Sequence, residues 1–155
     1  DINMEEKTIF VHQTMLRLKT DYNDGKKTEI LITSPKSPSS IRQIPIPDEI
    51  YDMLKETKSQ PTSFFLTGST KYMEPRTLQY RFKKVLKTCD ITDANFHALR
   101  HTFATRCVEL GFDVKSLSEI LGHANVNITL NRYVHPSMEL KRDNMSRLSE
   151  LFTVK

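Results

Sequence analysis

The first third of the chain carries short runs of branched and aromatic residues, and the remainder carries apolar positions at helical spacing. Lys7-Thr8-Ile9-Phe10-Val11-His12, Glu29-Ile30-Leu31-Ile32-Thr33 and Ile41-Arg42-Gln43-Ile44-Pro45-Ile46 read as three strands. Asn23-Asp24-Gly25 is a turn signal between the first two. Ser34-Pro35-Lys36-Ser37-Pro38-Ser39-Ser40 is a loop between the second and third. Pro45 lacks a backbone donor, which suits an edge strand or a strand end. These runs predict a small three-stranded antiparallel sheet.

From Pro47 onward the pattern is helical. Pro47-Asp48-Glu49 suits a first turn and opens a helix containing Ile50, Met53 and Leu54. Ser63-Phe64-Phe65-Leu66 reads as a short buried strand or an extended connector. A longer helix follows Pro75, with Leu78, Phe82, Leu86 and Cys89 on one stripe. The next runs from about Phe96 to Leu110 with Leu99, Phe103 and Cys107 as its apolar stripe, and Gly111 as a left-handed stop. Asp113 is an N-cap for Val114 to Leu121, which Gly122 ends. A short helix around Ile128 to Val134 stops before Pro136. Ser137 caps a last helix from about Met138 to Phe152. That helix carries Met138, Met145, Leu148 and Phe152 on one side and Lys141, Arg142, Asp143 and Glu150 elsewhere. Its apolar side could pack on its own domain or dock on a neighbouring copy. The expected fold class is α+β: mainly helical, with a small three-stranded antiparallel sheet near the N-terminus.

Length adds that 155 residues suffice for one domain with a core. No repeat, low-complexity tract or internal domain boundary interrupts it. No apolar run approaches the roughly 20 residues of a membrane helix, and the acidic start Asp1-Ile2-Asn3-Met4-Glu5-Glu6 is not a secretory signal. Cys89 and Cys107 lack metal-type spacing and read as two buried, reduced thiols of a cytoplasmic protein. The net charge of +4 is mild, but its placement says more. Lys71, Arg76, Arg81, Lys83, Lys84 and Lys87 share their stretch with a single acid, Glu74. That stretch is either a solvated helix face or a surface for nucleic acid.

Candidate chemistry begins at Phe96-His97-Ala98-Leu99-Arg100-His101-Thr102. His97 and Arg100, three apart, share a helix face. Arg100 offers a planar fork that can grip two phosphate oxygens, and a histidine beside it can shuttle a proton near neutral pH. The same pair could equally tie helices together. His97 and His101 have the spacing of two metal ligands, but no general base lies between them and a cation does, which argues against zinc. His123 follows the glycine stop and can point into a cleft. Tyr133 comes ten residues later; with a free pKa of about 10 it needs stacked cations and donors to act as a nucleophile. Lys36, at a loop tip, could be solvated, enter a minor groove or protonate a leaving oxygen.

The order His97-Ala98-Leu99-Arg100-His101-Thr102-Phe103-Ala104-Thr105, then Leu121-Gly122-His123, then Asn131-Arg132-Tyr133, strongly resembles the catalytic domain of tyrosine recombinases, the phage integrase family. Ser34-Pro35-Lys36-Ser37 with Arg42-Gln43-Ile44-Pro45-Ile46 resembles that family's β-hairpin with its lysine. The resemblance covers nearly the whole chain and looks similar to integrases of phages and conjugative transposons. It implies that 1–155 is a recombinase catalytic domain for site-specific DNA recombination. Tyr133 would attack the scissile phosphate to give a 3′-phosphotyrosyl link, and Arg100 would hold the non-bridging oxygens. His97 would be the acid–base partner of the tyrosine, His123 a hydrogen-bond donor to the phosphate and Lys36 the proton donor to the 5′ oxygen. It also implies no cofactor, neither ATP nor metal, and double-stranded DNA as partner. Other protomers would join it in a tetramer on DNA, with helix 138–152 docking in trans, and no membrane would be involved. Arg42, Lys71 and Arg76 are further candidate DNA contacts. The family's earlier catalytic arginine has no match here, since Arg17 stands in the wrong context. The chain is therefore expected to be a fragment that also lacks an N-terminal DNA-clamping domain and is impaired alone. A non-catalytic DNA-binding module and a type IB topoisomerase-like relaxing enzyme are the alternatives.

Overall fold

The computed structural model describes residues 1–19, 28–57, 60 and 62–152, the side chains of 150 and 151 excepted. It is α+β, with two small antiparallel sheets ahead of most of the helices. Strands β1 (Ile2–Asn3) and β2 (Thr8–Val11) form one sheet with a later strand, Arg42–Pro45, in which β2 is central. Strands β3 (Thr14–Lys19) and β4 (Thr28–Thr33) form the other, in register from Thr14 opposite Thr33 to Lys19 opposite Thr28. Arg42–Pro45 is therefore β5, and a single 3-10 turn, Pro38–Ser40, precedes it.

This corrects the expected sheet. The run Glu29–Thr33 does not join the other two runs; it pairs with Thr14–Lys19, a segment whose composition did not stand out. Its partner is the sequence neighbour that can reach it antiparallel through a short connection, and run composition carries no information on pairing. The turn signal Asn23-Asp24-Gly25 lies outside the described residues. Pro45 sits at the end of β5, opposite Thr8, on a strand at the sheet edge, where its missing donor costs no ladder bond.

Helix α1 (Asp48–Glu56) docks on the first sheet: the Tyr51 hydroxyl donates to the Met4 carbonyl at 3.0 Å, Lys7 pairs with Asp48 at 2.6 Å, and Ile46 is buried beneath. Phe64-Phe65-Leu66 is neither buried nor a strand. It belongs to a local turn, closed by bonds between Phe64 and Ser69 and between Gly68 and Phe64, and it exposes all three side chains because no second layer covers them. Helix α2 (Pro75–Thr88) half-buries Leu78, Phe82 and Leu86, but Cys89, one residue past its last turn, is exposed. Only Cys107 is the buried thiol expected of both.

Helices α3 (Phe96–Glu109), α4 (Val114–Leu121) and α5 (Val126–Tyr133) enclose the core of Ala104, Cys107, Leu117 and Leu121, against which Val108 and Tyr133 pack. Their ends follow local chemistry. Asn95, Asp113 and Asn125 accept hydrogen bonds from the first-turn amides of Ala98, Ser116 and Asn127. The Asn125 cap starts α5 two residues earlier than expected. The face α3 buries matches the predicted stripe only at Cys107. Leu99 and Phe103 are 51% and 47% exposed, while Ala104 is fully buried. A small residue on the inner face lets neighbouring helices approach closely, and the turn of α3 that brings Ala104 and Cys107 inward also turns Arg100 and His101 toward α4 and α5.

Helix α6 (Met138–Phe152) begins with its Leu140 amide donating to Ser137 Oγ at 3.1 Å. It follows an extended segment containing Pro136, and Met138, Met145, Leu148 and Phe152 are exposed. Packing of that stripe on its own domain is therefore not what the fold adopts.

Candidate active site

Three local structures deliver the candidate residues to one place. The inner face of α3 carries His97, Arg100 and His101; the stop of α4 carries His123; the last turn of α5 carries Arg132 and Tyr133. Gly122 ends α4 in the left-handed region, φ 70°, and a Cβ there would lie 2.7 Å from Arg42 Nη1. Glycine is thus needed both for the backbone turn and for the arginine that crosses it.

Two arginines are held by the carbonyls of that helix end. Arg42 Nε donates to Ile120 O at 2.7 Å and its Nη1 to Ser40 O at 2.9 Å, while Arg100 Nη2 donates to Leu121 O at 2.7 Å. The last carbonyls of a helix have no intrahelical donor and carry the negative end of its dipole, so cations settle there. Arg100 spends one of its five N–H donors on that bond, which orients the fork. Arg42 and Arg100 lie close enough for Arg100, after burial itself, to help hold the Arg42 pKa below its ordinary value.

His123 Nδ1 lies 2.8 Å from Thr129 Oγ1, and Thr129 is fully buried. If the hydroxyl donates, Nε2 carries the proton and becomes the donor toward the cleft. Burial first, and then the charges of Arg100, Arg132 and Arg42, push the His123 pKa below its usual value. His101 is pushed down likewise, by partial burial and then by Arg132, His97 and Arg100. Apart from the Tyr133 phenol, the charged or titrating groups among the described residues that act on these two rings are arginines and a histidine, so the place favours an anion.

Tyr133 is half-buried against the core, and its hydroxyl lies 2.9 Å from His101 Nδ1. The phenol's partner is thus His101, not His97. His97 is exposed and meets the His101 ring edge-on, with centroids 4.7 Å apart. His97 and Arg100 line one cleft with Gln79 of α2. On that helix Arg76 and Lys83 lie one turn either side of Gln79. Arg76 itself is held by the Tyr80 hydroxyl, which accepts from its Nη2 at 3.2 Å.

Lys36 is exposed in the turn after β4 and shares a cleft with Arg42, which in turn shares another with His123. Among the described residues it makes no bond to His97, Arg100, His123 or Tyr133. Lys71 is exposed, its carbonyl accepting from the Thr67 hydroxyl. Arg17 is accounted for elsewhere: it pairs with Glu74 and donates to Thr28 Oγ1 at 2.9 Å, joining β3 to the start of α2. Sequence reasoning missed His101 as the phenol's partner and Thr129 as the support of His123. The first was legible only as helix geometry, since positions 97, 100, 101 and 104 share a face; Thr129 left no signal.

Comparison with known proteins finds relatives along nearly the whole chain. Residues 1–139 match the model of the phage integrase family. A tyrosine recombinase XerC-like protein of Caldanaerobacter subterraneus subsp. tengcongensis is 32% identical over 171 aligned residues, covering 98% of this chain and 44% of the relative. The transposase of transposon Tn916 from Enterococcus faecalis is 27% identical over 173, covering 97% of this chain and 40% of that protein. The chain thus spans less than half the length of either relative. An integrase of the Tn1549 transposon, solved in complex with a circular intermediate DNA, superposes with a TM-score of 0.73 at 28% identity, over 96% of this chain and 51% of that one. With the match running through nine-tenths of its length, the chain belongs to the phage integrase family.

Proposed function

We propose that the protein carrying this chain is a site-specific tyrosine recombinase, cutting and rejoining double-stranded DNA in the cytoplasm through a 3′-phosphotyrosyl intermediate. The observation that carries this reading is the position of the Tyr133 hydroxyl, in a cluster where Arg100 and Arg132 act on the same histidine ring. In the proposed reaction the Tyr133 oxygen bonds to phosphorus while the bond from phosphorus to the 5′ oxygen breaks. The phenolic proton passes to a histidine of α3, and Lys36 gives a proton to the departing 5′ oxygen. Arg100 and His123 bind the non-bridging oxygens, where charge develops, through donors already oriented by Leu121 and Thr129. The ester conserves the bond energy, so a second 5′-hydroxyl can reverse the step without ATP.

DNA would lie across the clefts lined by Arg100, Arg42 and Lys36, with Lys71 and Arg76 as phosphate contacts on the flank. The exposed apolar side of α6 supports docking onto a neighbouring protomer, in a tetramer on DNA. The test is a suicide duplex, nicked beside the scissile phosphate, incubated with the protein. A covalent adduct is expected that disappears in Tyr133→Phe. An adduct that survives this substitution refutes the nucleophile.

A further inference from the structure

We infer that His101, rather than His97, is the group that takes the proton from Tyr133 as the phenol attacks. This rests on the reading of Tyr133 as the nucleophile and deepens it. The Oη to Nδ1 distance of 2.9 Å is that of a direct hydrogen bond, whereas the ring contact of His97 is with His101, edge-on at 4.7 Å between centroids. His101 is also the better-fixed ring: it is half-buried between α3 and α5, and its centroid lies 5.7 Å from that of Tyr133. His97 is exposed.

Direction follows from electrostatics. The charged or titrating groups facing His101 are His97 and Arg100 on its own helix and Arg132 and Tyr133 on α5. Burial first, and then the cations, disfavour imidazolium, so His101 is neutral at neutral pH, protonated on Nε2, and accepts the phenolic hydrogen on Nδ1. A phosphate diester bound between Arg100 and Arg132 adds the opposite charge. That offsets the cations and makes His101 a stronger base only when substrate is present. In the step, the proton moves from Tyr133 Oη to His101 Nδ1, the oxygen bonds to phosphorus, and the electron pair of the broken bond leaves on the 5′ oxygen. In rejoining, His101 returns the proton to the phenol.

The experiment compares wild type, His101→Asn, Lys36→Ala and Tyr133→Phe in single-turnover adduct formation, on an oxygen-bridged duplex and on one with a 5′-bridging sulfur. Sulfur leaves without a general acid, so it isolates the attack. Asparagine keeps a polar group near Nδ1 but cannot take a proton. His101→Asn is expected to slow adduct formation on both duplexes by about 100-fold, the usual scale of a lost general base. The Lys36→Ala defect should vanish on sulfur. Adduct formation by His101→Asn at the wild-type rate, or its rescue by sulfur, overturns the assignment. Nitrogen-15 NMR of the wild-type protein reads the tautomer without any activity. Nδ1 should be unprotonated at neutral pH and shift in Tyr133→Phe; a proton on Nδ1 overturns the inference. If wild type forms no adduct, the nucleophile reading fails, and the NMR result still decides whether His101 accepts from the phenol.

Discussion

Gly122→Ala tests how the site is assembled. The backbone at Gly122 has φ 70° and ψ 36°, which costs an L-residue about 1–2 kcal/mol. The new methyl would also sit 2.7 Å from Arg42 Nη1, 3.0 Å from its Cζ and 3.2 Å from its Cδ. A free arginine would swing aside, but this one is held at Nε by Ile120 O and at Nη1 by Ser40 O. Yielding one of those charged bonds costs about 1.5–3 kcal/mol, so the whole substitution should cost about 2.5–5 kcal/mol. Urea denaturation of Gly122→Ala, Arg42→Ala and the double variant separates the two contributions. With Arg42 removed, Gly122→Ala should cost only the backbone part, about 1–2 kcal/mol, leaving a coupling of about 2 kcal/mol. Equal costs in the two backgrounds would refute the argument that Arg42 over Gly122 ties β5 to the end of α4.

Leu117 is fully buried in the small core, so Leu117→Ala should lower the unfolding free energy by about 2–5 kcal/mol, read from the urea midpoint. The pKa values of His101 and His123 are depressed in the folded state, so the unfolded chain binds more protons once pH drops below about 6.5. Their contribution to stability is therefore full above that pH and is lost as pH falls through the folded values. The midpoint should decline on acidification, and His123→Gln should flatten the decline. DNA affinity should fall steeply with salt, and Lys71→Ala or Arg76→Ala should each reduce the log–log slope by about one if each meets a phosphate; an unchanged slope removes that residue from the DNA surface.

Much of this protein was written locally. The helix stops at Gly111 and Gly122 and the caps at Asp113 and Ser137 depend on a few adjacent residues, so their positions were legible in the chain. The set His97, Arg100, His123 and Tyr133 was legible through the order of its motifs, which resembles that of tyrosine recombinases; helix spacing by itself places only His97 and Arg100 on one face. Three features were decided only by tertiary structure. Strand pairing depends on which neighbour completes a ladder, so Glu29–Thr33 found Thr14–Lys19 instead of the more conspicuous runs. The buried face of α3 depends on what α4 and α5 can approach, and a small inner residue, Ala104, prevailed over the larger Leu99 and Phe103. That rotation then set the last feature. His101, adjacent to Arg100 in sequence, came to face the Tyr133 hydroxyl thirty-two residues away, a contact that exists only because three helices share one core.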